Sequence, residues 1–288
     1  MSDSKQLILI DGSSFLFRAY FAARQSFSTK DGFPTGAVFL ITRMFRSLLN
    51  DFKNQKVIAV FDAKGPSFRN EMYSEYKATR PPMPDDLRKQ IEPVNNLVKA
   101  LGIPLVSVPG VEADDVLGSY ALEGVKLGYK VVICTGDKDL AQLVNDDIEL
   151  LDTMKNIHFD AAQVYEKYGV PPHLIIDLLA LKGDSADNIP GMKGVGDKTA
   201  SALLNAMGGI YEVKEKIDEV KNLSFRGAAS FKERFLEQWD NIELSYKLAT
   251  IKTDVPLPLG IDELVLPKDN HDALIELFER LEFHRFAD

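Results

Sequence analysis

The feature that most constrains the fold is a series of short apolar runs in the first half of the chain. They are rich in β-branched residues, and segments with helical periodicity separate them; the runs are 7–10, 57–61, 104–108, 130–134 and 148–151. Strands that alternate with helices predict a parallel sheet with crossover helices. The predicted fold class is therefore α/β, with a mostly parallel central sheet and flanking helices.

Beyond about residue 160 the strand signals fade and helical patterns dominate. The predicted helices there are 160–168, 173–182, 197–206, 227–237, 239–249 and 271–283, and a further helix is predicted at 112–126 in the first half. We expect two parts, an α/β core over residues 1–170 and a helical subdomain over residues 171–288 that packs on it.

Three aspartates follow predicted strands at the same structural position. Asp11 and Asp62 come directly after the first two runs, and Asp137 follows the fourth run after two intervening residues. Because the carboxyl ends of parallel strands meet at one edge of a sheet, these side chains should converge. Turns also favour aspartate, but that preference does not account for three at equivalent positions.

Six further carboxylates are expected at the same edge, and they are Glu112, Asp114, Asp115, Asp139, Asp184 and Asp187. The first three open a predicted helix, where capping accounts for one acid but not for three. Asp137 and Asp139 are two apart, so an extended backbone would place both on one face. The last two acids are three apart, as on one face of a helical turn.

Nine carboxylates at one place repel each other, and bound cations relieve that repulsion. Mg²⁺, or Mn²⁺ in its place, takes oxygen ligands, and two ions about 4 Å apart suit phosphodiester hydrolysis. The chain has 43 acidic and 34 basic residues, so the remainder without this cluster is neutral and nucleic acid is not excluded as a partner. The four histidines and Cys134 lack the spacing of a zinc site.

Segment 64–93 connects two predicted strands and is longer than an ordinary crossover. It is rich in charged residues, three aromatic residues are interleaved (Phe68, Tyr73 and Tyr76), and prolines interrupt it. A solvated helical insertion is one interpretation. The other is a mobile element that grips a nucleic-acid strand through phosphate charges and aromatic stacking.

A glycine-rich stretch at 188–206 predicts a helix-hairpin-helix. It is not a P-loop, because no strand precedes it and Asp197 interrupts the G-K-[ST] register. Backbone N–H groups and lysines of the turn would hold duplex phosphates without reading sequence. The residues expected to do so are Lys193, Gly194, Gly196 and Lys198. Spacing leaves open both a plain interhelical turn and a K⁺ ion beneath it.

Six stretches carry a family resemblance: LILIDGSSFLFRAYFA, VFDAKGPSFRNEMYSEYKATRPPMPDDLRKQIEP, GVEADDVLG, TGDKDLAQLV, LALKGDSADNIPGMKGVGDKTA and LSYKLATIKTDVPL. Together they resemble the 5′-nuclease domain of bacterial DNA polymerase I, within the flap endonuclease family. The resemblance covers nearly the whole chain and includes all nine acids. It implies a PIN-like nuclease fold in which 64–93 forms a helical arch and the C-terminal helices carry the helix-hairpin-helix.

The resemblance further implies a structure-specific 5′–3′ exonuclease and 5′-flap endonuclease that acts in primer removal and DNA repair. Its substrates would be 5′ flaps, nicks and single-stranded 5′ ends, including RNA-primed strands, and a 5′ end would pass through the arch. Lys77 and Arg80 would contact the scissile phosphate, and Tyr76 would stack on a base near it. Arg69 would be a further phosphate-binding residue.

The same resemblance implies a division of the acids between two metal ions. One site would comprise Asp62, Glu112 and Asp114, with Asp11 reached through water. The second would comprise Asp137, Asp139 and Asp187, with Asp115 and Asp184 in support.

Two other classes of protein stay open. A non-catalytic flap-binding module would leave the acids unexplained, and a metal-dependent RNase of the PIN-like type would not need the arch or the glycine turn. No apolar run has the length of a membrane span and the N-terminus does not resemble a signal peptide, so we expect a cytoplasmic monomer without membrane association. A polymerase domain would act in cis on a longer chain, or in trans.

Overall fold

A six-stranded sheet forms the centre of the computed structural model, which describes residues 4–23 and 27–286. The strands are β1 (Gln6–Asp11), β2 (Lys56–Val60), β3 (Leu105–Val106), β4 (Lys130–Cys134), β5 (Ile148–Asp152) and β6 (Ile157–Phe159). Their spatial order is β3-β2-β1-β4-β5-β6, and every neighbouring pair is parallel except β5 and β6. The predicted α/β class with a mostly parallel sheet is confirmed.

Helices flank the sheet and continue beyond it. Within the described residues they are α1 (Gly12–Ala22), α2 (Gly36–Asp51), α3 (Phe68–Met72), α4 (Asp85–Ala100), α5 (Ala113–Lys126), α6 (Ala161–Tyr168), α7 (Ile175–Lys182), α8 (Asp197–Met207), α9 (Ile210–Glu215), α10 (Phe231–Glu237), α11 (Trp239–Ala249) and α12 (His271–Arg280). No helix among the residues described has the length and apolar character needed to cross a bilayer.

The central strand β1 is apolar on both faces because helices cover both faces of the sheet. Leu7 and Leu9 belong to the core cluster that includes α5, whereas Ile8 and Ile10 belong to the cluster formed with α1, α2 and α4. This double burial fixes where β1 ends, and Asp11 is its last residue. The acid at the strand end is therefore placed by the packing of the strand.

Two strands differ from the sequence-based expectation. The strand predicted at 104–108 is only two residues long, because Pro104 and Pro109 flank it and neither can donate a backbone hydrogen bond. β6 was not predicted, since its three residues carry no clear alternation. It pairs antiparallel with β5 at the edge of the sheet.

Late in the chain, α12 returns to the core and packs against α4. Leu274, Leu277 and Phe278 join the same apolar cluster as α2 and α4. Helix α12, from the segment after residue 170, therefore contacts the segment before it. The division at residue 170 stays a prediction.

The helix-hairpin-helix is formed by α7 and α8 with residues 183–196 between them. The predicted range 188–206 began too late, because no helix forms between Asn188 and Gly196. The start of this connecting segment touches its middle: a Cβ on Gly191 would lie 2.4 Å from the backbone nitrogen of Gly183. Both glycines have positive φ angles, so only glycine fits this approach without strain.

The arch segment is helical only at its ends. It contains α3 and the start of α4, and residues 73–84 between them form turns. Lys77 has a φ angle of +57°, and prolines at 81, 82 and 84 prevent helix continuation. The predicted arch is thus a short helix, a compact turn region and a long helix.

The N-terminus of α2 depends on a side chain from α4. Gln90 is 2% exposed, and its Oε1 accepts hydrogen bonds from the backbone N–H groups of Ala37 (2.9 Å) and Val38 (3.1 Å). The N-cap residue, Thr35, makes no side-chain cap bond.

We predict that Gln90→Leu lowers the free energy of unfolding by about 1–3 kcal/mol, because buried N–H groups would lose their acceptor. Urea denaturation followed by circular dichroism measures the change. The control is Lys89→Leu at the exposed neighbouring position on the same helix. An equal loss in both variants would contradict the capping role of Gln90.

Candidate active site

A cleft of about 440 Å³ opens at the carboxyl edge of the sheet, where the predicted acids were expected. Five of the nine line it, and they are Asp11, Asp62, Glu112, Asp114 and Asp137. The elements that carry them are β1, the segment after β2, the start of α5 and the segment after β4. Parallel strands therefore bring together residues that are up to 126 positions apart in the chain.

Asp11 is held rigidly at the bottom of this cleft. It caps α1 by accepting a hydrogen bond from the backbone N–H of Ser14 (3.1 Å), and its other oxygen accepts one from the Thr135 hydroxyl (2.7 Å). The side chain is 3% exposed. Burial raises the pKa of Asp11 to about 7, and the nearby Asp137 and Asp62 add to the rise.

Asp139, Asp184 and Asp187 form a second group of acids. Each offers one carboxylate oxygen, and these three oxygens lie within 4.8 Å of one another. Oδ1 of Asp139 is buried and has no hydrogen-bond partner. Lys138 is the nearest cation to Asp184, with Nζ 3.6 Å from Oδ2.

The local geometry of this second group differs from the expectation. Asp137 does not continue an extended strand, since it caps a 3₁₀ helix at 138–143 through a 2.9 Å bond from the backbone N–H of Asp139. Asp184 and Asp187 lie in a hydrogen-bonded turn that closes between Asp184 and Ile189, and not on a helix. The acids converge, but through turns that spacing alone does not predict.

Ionisation of the clustered acids is opposed by their surroundings. Burial raises the pKa of Asp114 well above its ordinary value, and the charges of Asp137 and Asp11 raise it further. Burial likewise raises the pKa of Asp139, reinforced by Asp137 and Asp187. Carboxylates gathered in this way could hold a divalent cation, since hard cations take oxygen ligands.

Two cations of the arch reach down to these acids. The Lys77 ammonium donates to Glu112, and the Arg80 guanidinium donates to Asp187. The arch backbone is also attached, since the N–H of Lys77 donates to the carbonyl of Asp187 (2.8 Å) and the Asn188 side chain donates to the carbonyl of Glu75 (2.7 Å). The structure thus brings the two predicted phosphate contacts to two of the acids that were predicted as metal ligands.

Burial alone would raise the pKa of Glu112, but Lys77 and Arg69 outweigh it and lower the pKa. The pKa of Glu112 is thus shifted in the opposite direction from that of its neighbour Asp114, whose pKa is raised by burial. Burial alone would lower the pKa of Lys77, and Glu112 and Asp187 reverse that shift. The lysine keeps its charge at the mouth of the cleft.

Arg69 and Asp115, predicted as a phosphate-binding residue and a metal ligand, are buried together. Arg69 is 3% exposed and donates to both oxygens of Asp115 at 2.7 and 2.8 Å. It also donates to Glu112 (2.5 Å) and to the carbonyl oxygens of Leu248 (2.8 Å) and Thr250 (2.8 Å). This pair faces inward and positions Glu112 from behind.

Tyr76, predicted to stack on a base, packs inward with Ile189 and Leu248 and is 5% exposed. Its hydroxyl donates to the Glu112 carboxylate at 3.0 Å. In this position the ring supports the arch turn and orients an acid of the cleft.

The hairpin residues predicted to hold phosphates face outward. Lys193, Gly194, Gly196 and Lys198 are exposed. The turn is fixed from below, because the backbone N–H of Lys193 donates to Oε1 of Gln238 (2.7 Å).

Sequence reasoning missed residues that support the cleft. Thr135 bridges two acids: its hydroxyl donates to Asp11 and accepts from the N–H of Asp137 (2.9 Å). Arg18 lines the cleft and donates to both oxygens of Asp152, at 2.9 and 3.1 Å. A signal for Arg18 exists, since it lies seven residues, or about two helical turns, after Asp11, which caps α1.

Two family models match this chain. The family model described as the 5′-3′ exonuclease N-terminal resolvase-like domain matches residues 6–169. The model of the 5′-3′ exonuclease C-terminal SAM fold matches residues 170–272. The two matches adjoin and cover both the sheet and the helix-hairpin-helix.

Curated relatives are similar over nearly the whole chain. DNA polymerase I of Pseudomonas aeruginosa is 50% identical over 283 residues, which are 98% of this chain and 31% of that protein. The 5′-3′ exonuclease of Buchnera aphidicola subsp. Schizaphis graminum is 37% identical over 281 residues, 97% of this chain and 98% of that protein. The chain thus spans less than a third of the polymerase and nearly all of the exonuclease.

Solved structures share the fold at lower identity. The T5 5′-exonuclease with bound zinc ions has a TM-score of 0.72 and 18% identity, and the match covers 99% of this chain and 100% of that one. The catalytic core of Rad2 in complex with DNA substrate has a TM-score of 0.61 and 18% identity over 96% and 87% of the two chains. With both family models matched and relatives this similar, the chain belongs to the 5′–3′ exonuclease family.

Proposed function

We propose that this chain is a structure-specific 5′ nuclease that hydrolyses phosphodiester bonds near the 5′ end of a strand, as 5′–3′ exonuclease and flap endonuclease. The observation that carries the proposal is the convergence of acids from several sheet-edge segments beneath two arch cations. Flaps, nicks and single-stranded 5′ ends, including RNA-primed strands, are the substrates in primer removal and DNA repair. The naming of similar proteins as 5′-3′ exonucleases supports this choice.

The residues fit divalent metal ions. Oδ1 of Asp139 is a buried oxygen without a partner, and it lies within 4.8 Å of oxygens from Asp184 and Asp187. Hard cations such as Mg²⁺ or Mn²⁺ favour such oxygen ligands. When bound, the cations lower the pKa of a coordinated water and stabilise charge on the leaving oxygen.

The acids divide between two places in this proposal. One group, in the cleft, comprises Asp11, Asp62, Glu112 and Asp114. The other comprises Asp137, Asp139, Asp184 and Asp187. Asp115 acts behind the first group, because Arg69 occupies both of its oxygens and links it to Glu112.

Lys77 and Arg80 act on the substrate. Lys77 pairs with Glu112 and Arg80 pairs with Asp187, so both cations are held beside the acids of the cleft. A phosphate of the substrate would compete with these carboxylates for the two cations. Positive groups fixed in position stabilise the negative charge that grows on a phosphate in the transition state. Their role is electrostatic, and neither takes a proton.

The helix-hairpin-helix binds the duplex part of the substrate through its outward lysines and backbone N–H groups, with K⁺ beneath the turn as part of the proposal. A polymerase domain completes the reaction cycle, in cis on a longer chain or in trans. The protein acts as a monomer in the cytoplasm, without membrane association.

We predict that the chain cuts a 5′-labelled flap substrate in the presence of Mg²⁺, and that Asp114→Asn abolishes the cut while DNA binding measured by fluorescence anisotropy is retained. The reason is that Asp114 lies among the acids of the cleft, away from the hairpin residues proposed to bind the duplex. A plain single-stranded RNA is the comparison substrate. Faster cutting of that RNA would favour a PIN-like RNase, and binding without cutting would favour a flap-binding module.

We predict that Lys77→Ala lowers kcat on the flap substrate by roughly 100-fold with little change in KM, as expected when a positioned charge-stabilising group is lost. Single-turnover kinetics at saturating enzyme measures the chemical step. Lys126→Ala, an exposed lysine at the opposite end of α5, is the control. A variant with weakened affinity and unchanged kcat would contradict the catalytic role.

We predict that Asp139→Asn removes most of the rise in Tm that Mg²⁺ produces in the wild-type protein, because a ligand that binds only the folded state stabilises it. Without metal the variant should be at least as stable as wild type, since burial opposes ionisation of Asp139. Differential scanning fluorimetry with and without Mg²⁺ tests both points, with exposed Asp31→Asn as control. If Mg²⁺ raised the Tm of Asp139→Asn as much as that of wild type, Asp139 would not be a ligand of the metal.

A further inference from the structure

An arginine beside the helix-hairpin-helix has no assigned role. Arg234 lies on α10, and its guanidinium forms no ion pair within the described part of the chain. Its Nε is buried and has no hydrogen-bond partner. A charged group that is partly buried without a counter-ion costs free energy, which the Phe231 ring, centred 5.9 Å from the Arg234 Cζ, offsets only in part.

The guanidinium lies between two glycine turns. A Cβ on Gly194 would lie 3.4 Å from Nη1 of Arg234, and a Cβ on Gly227 would lie 3.5 Å from Nη2. The two glycines have φ angles of +79° and +91°. Gly194 belongs to the hairpin between α7 and α8, whereas Gly227 belongs to the loop that precedes α10.

The two turns share a further property. Gly194 follows Lys193, and Gly227 follows Arg226, so each turn presents a basic residue directly before its glycine. All four of these residues are exposed. Three basic residues, Lys193, Arg226 and Arg234, thus belong to segments that adjoin at the Arg234 guanidinium.

Among the residues described, nearby acids form no ion pair with Arg234. Asp197 follows the hairpin but pairs with Lys182 at 2.9 Å. Glu233 and Glu237 lie on α10 close to Arg234 in sequence, and both are exposed without an ion pair to it among the residues described.

We infer that Arg234 and the two basic–glycine turns form a phosphate clamp that binds the sugar–phosphate backbone of duplex DNA. The planar guanidinium can donate two parallel N–H bonds to one phosphate. The glycines lack side chains, so the backbone can approach closely on either side. Contacts of this kind fix the position of the duplex without reading its sequence.

This inference rests on the proposed function, because it extends the duplex-binding surface of the same nuclease from the hairpin to α10. It adds a second turn and a central guanidinium to the residues already assigned. The clamp acts on affinity and leaves the chemistry at the acids unchanged.

The test measures, by fluorescence anisotropy in EDTA, the binding of a flap substrate with a long duplex arm. Arg234→Gln should weaken binding roughly tenfold, as expected for the loss of a charged hydrogen-bond donor. The slope of log Kd against log salt concentration should fall by about 0.9 for one lost phosphate contact. Arg234→Lys should recover part of the affinity, because it keeps the charge and loses the fork.

Shortening the duplex arm provides a second readout. Wild type and Arg234→Gln should then bind alike, since the phosphates that the clamp contacts are gone. Lys126→Gln removes the same charge at a distant exposed site and should bind both substrates like wild type. If Arg234→Gln does not fold, Arg226→Gln in the exposed loop takes its place, with the same dependence on arm length expected.

Equal affinity and salt dependence of the wild type and the clamp variants on the long arm would overturn the inference. A lower Tm with unchanged affinity would also overturn it, by assigning Arg234 a purely structural role. Cleavage of the flap is measured in parallel. Failure of the wild-type protein to cut would refute the proposed nuclease function, whereas wild-type cutting with unaltered binding by Arg234→Gln would refute the clamp alone.

Discussion

Mutual repulsion among carboxylates at the sheet edge is the constraint on which the rest of the structure depends. Burial and neighbouring charges raise the pKa values of Asp11, Asp114 and Asp139, so the folded chain holds them together against their own electrostatics. Two devices make this tolerable within the protein. Cations from the arch pair with outer acids, and the buried Arg69 neutralises Asp115 and Glu112 from behind.

Arg69 also connects the parts of the chain. It belongs to the base of the arch, it binds acids at the start of α5, and it donates to carbonyl oxygens that follow or end α11. Removing one member of a buried charged group leaves the others unpaired, which costs several times more than loss of a surface pair. The arch, the sheet edge and the helical segment are therefore fixed relative to one another at one guanidinium.

The sequence was sufficient to predict the sheet class and the gathering of the acids, because both follow from periodic patterns and from parallel topology. It was insufficient where the outcome depends on partners distant in the chain. Arg69 and Tyr76 carry the chemistry of phosphate binding and base stacking, yet contacts to residues up to 181 positions away bury them. The turn that carries Asp184 and Asp187 was taken for a helical turn, because spacing does not distinguish the two. The hairpin began earlier than predicted, since the close contact of Gly183 with Gly191 has no signal in a linear pattern.

The main-chain bond from Lys77 to Asp187, with the Asn188 side chain bonded to Glu75, ties the floor of the arch to the turn that carries two of the acids. A strand cannot displace the arch turn without pulling on that loop. The arch turn and the loop that bears Asp184 and Asp187 are in this way one mechanical unit. In the function proposed above, a strand that moved the arch turn would also move these two acids.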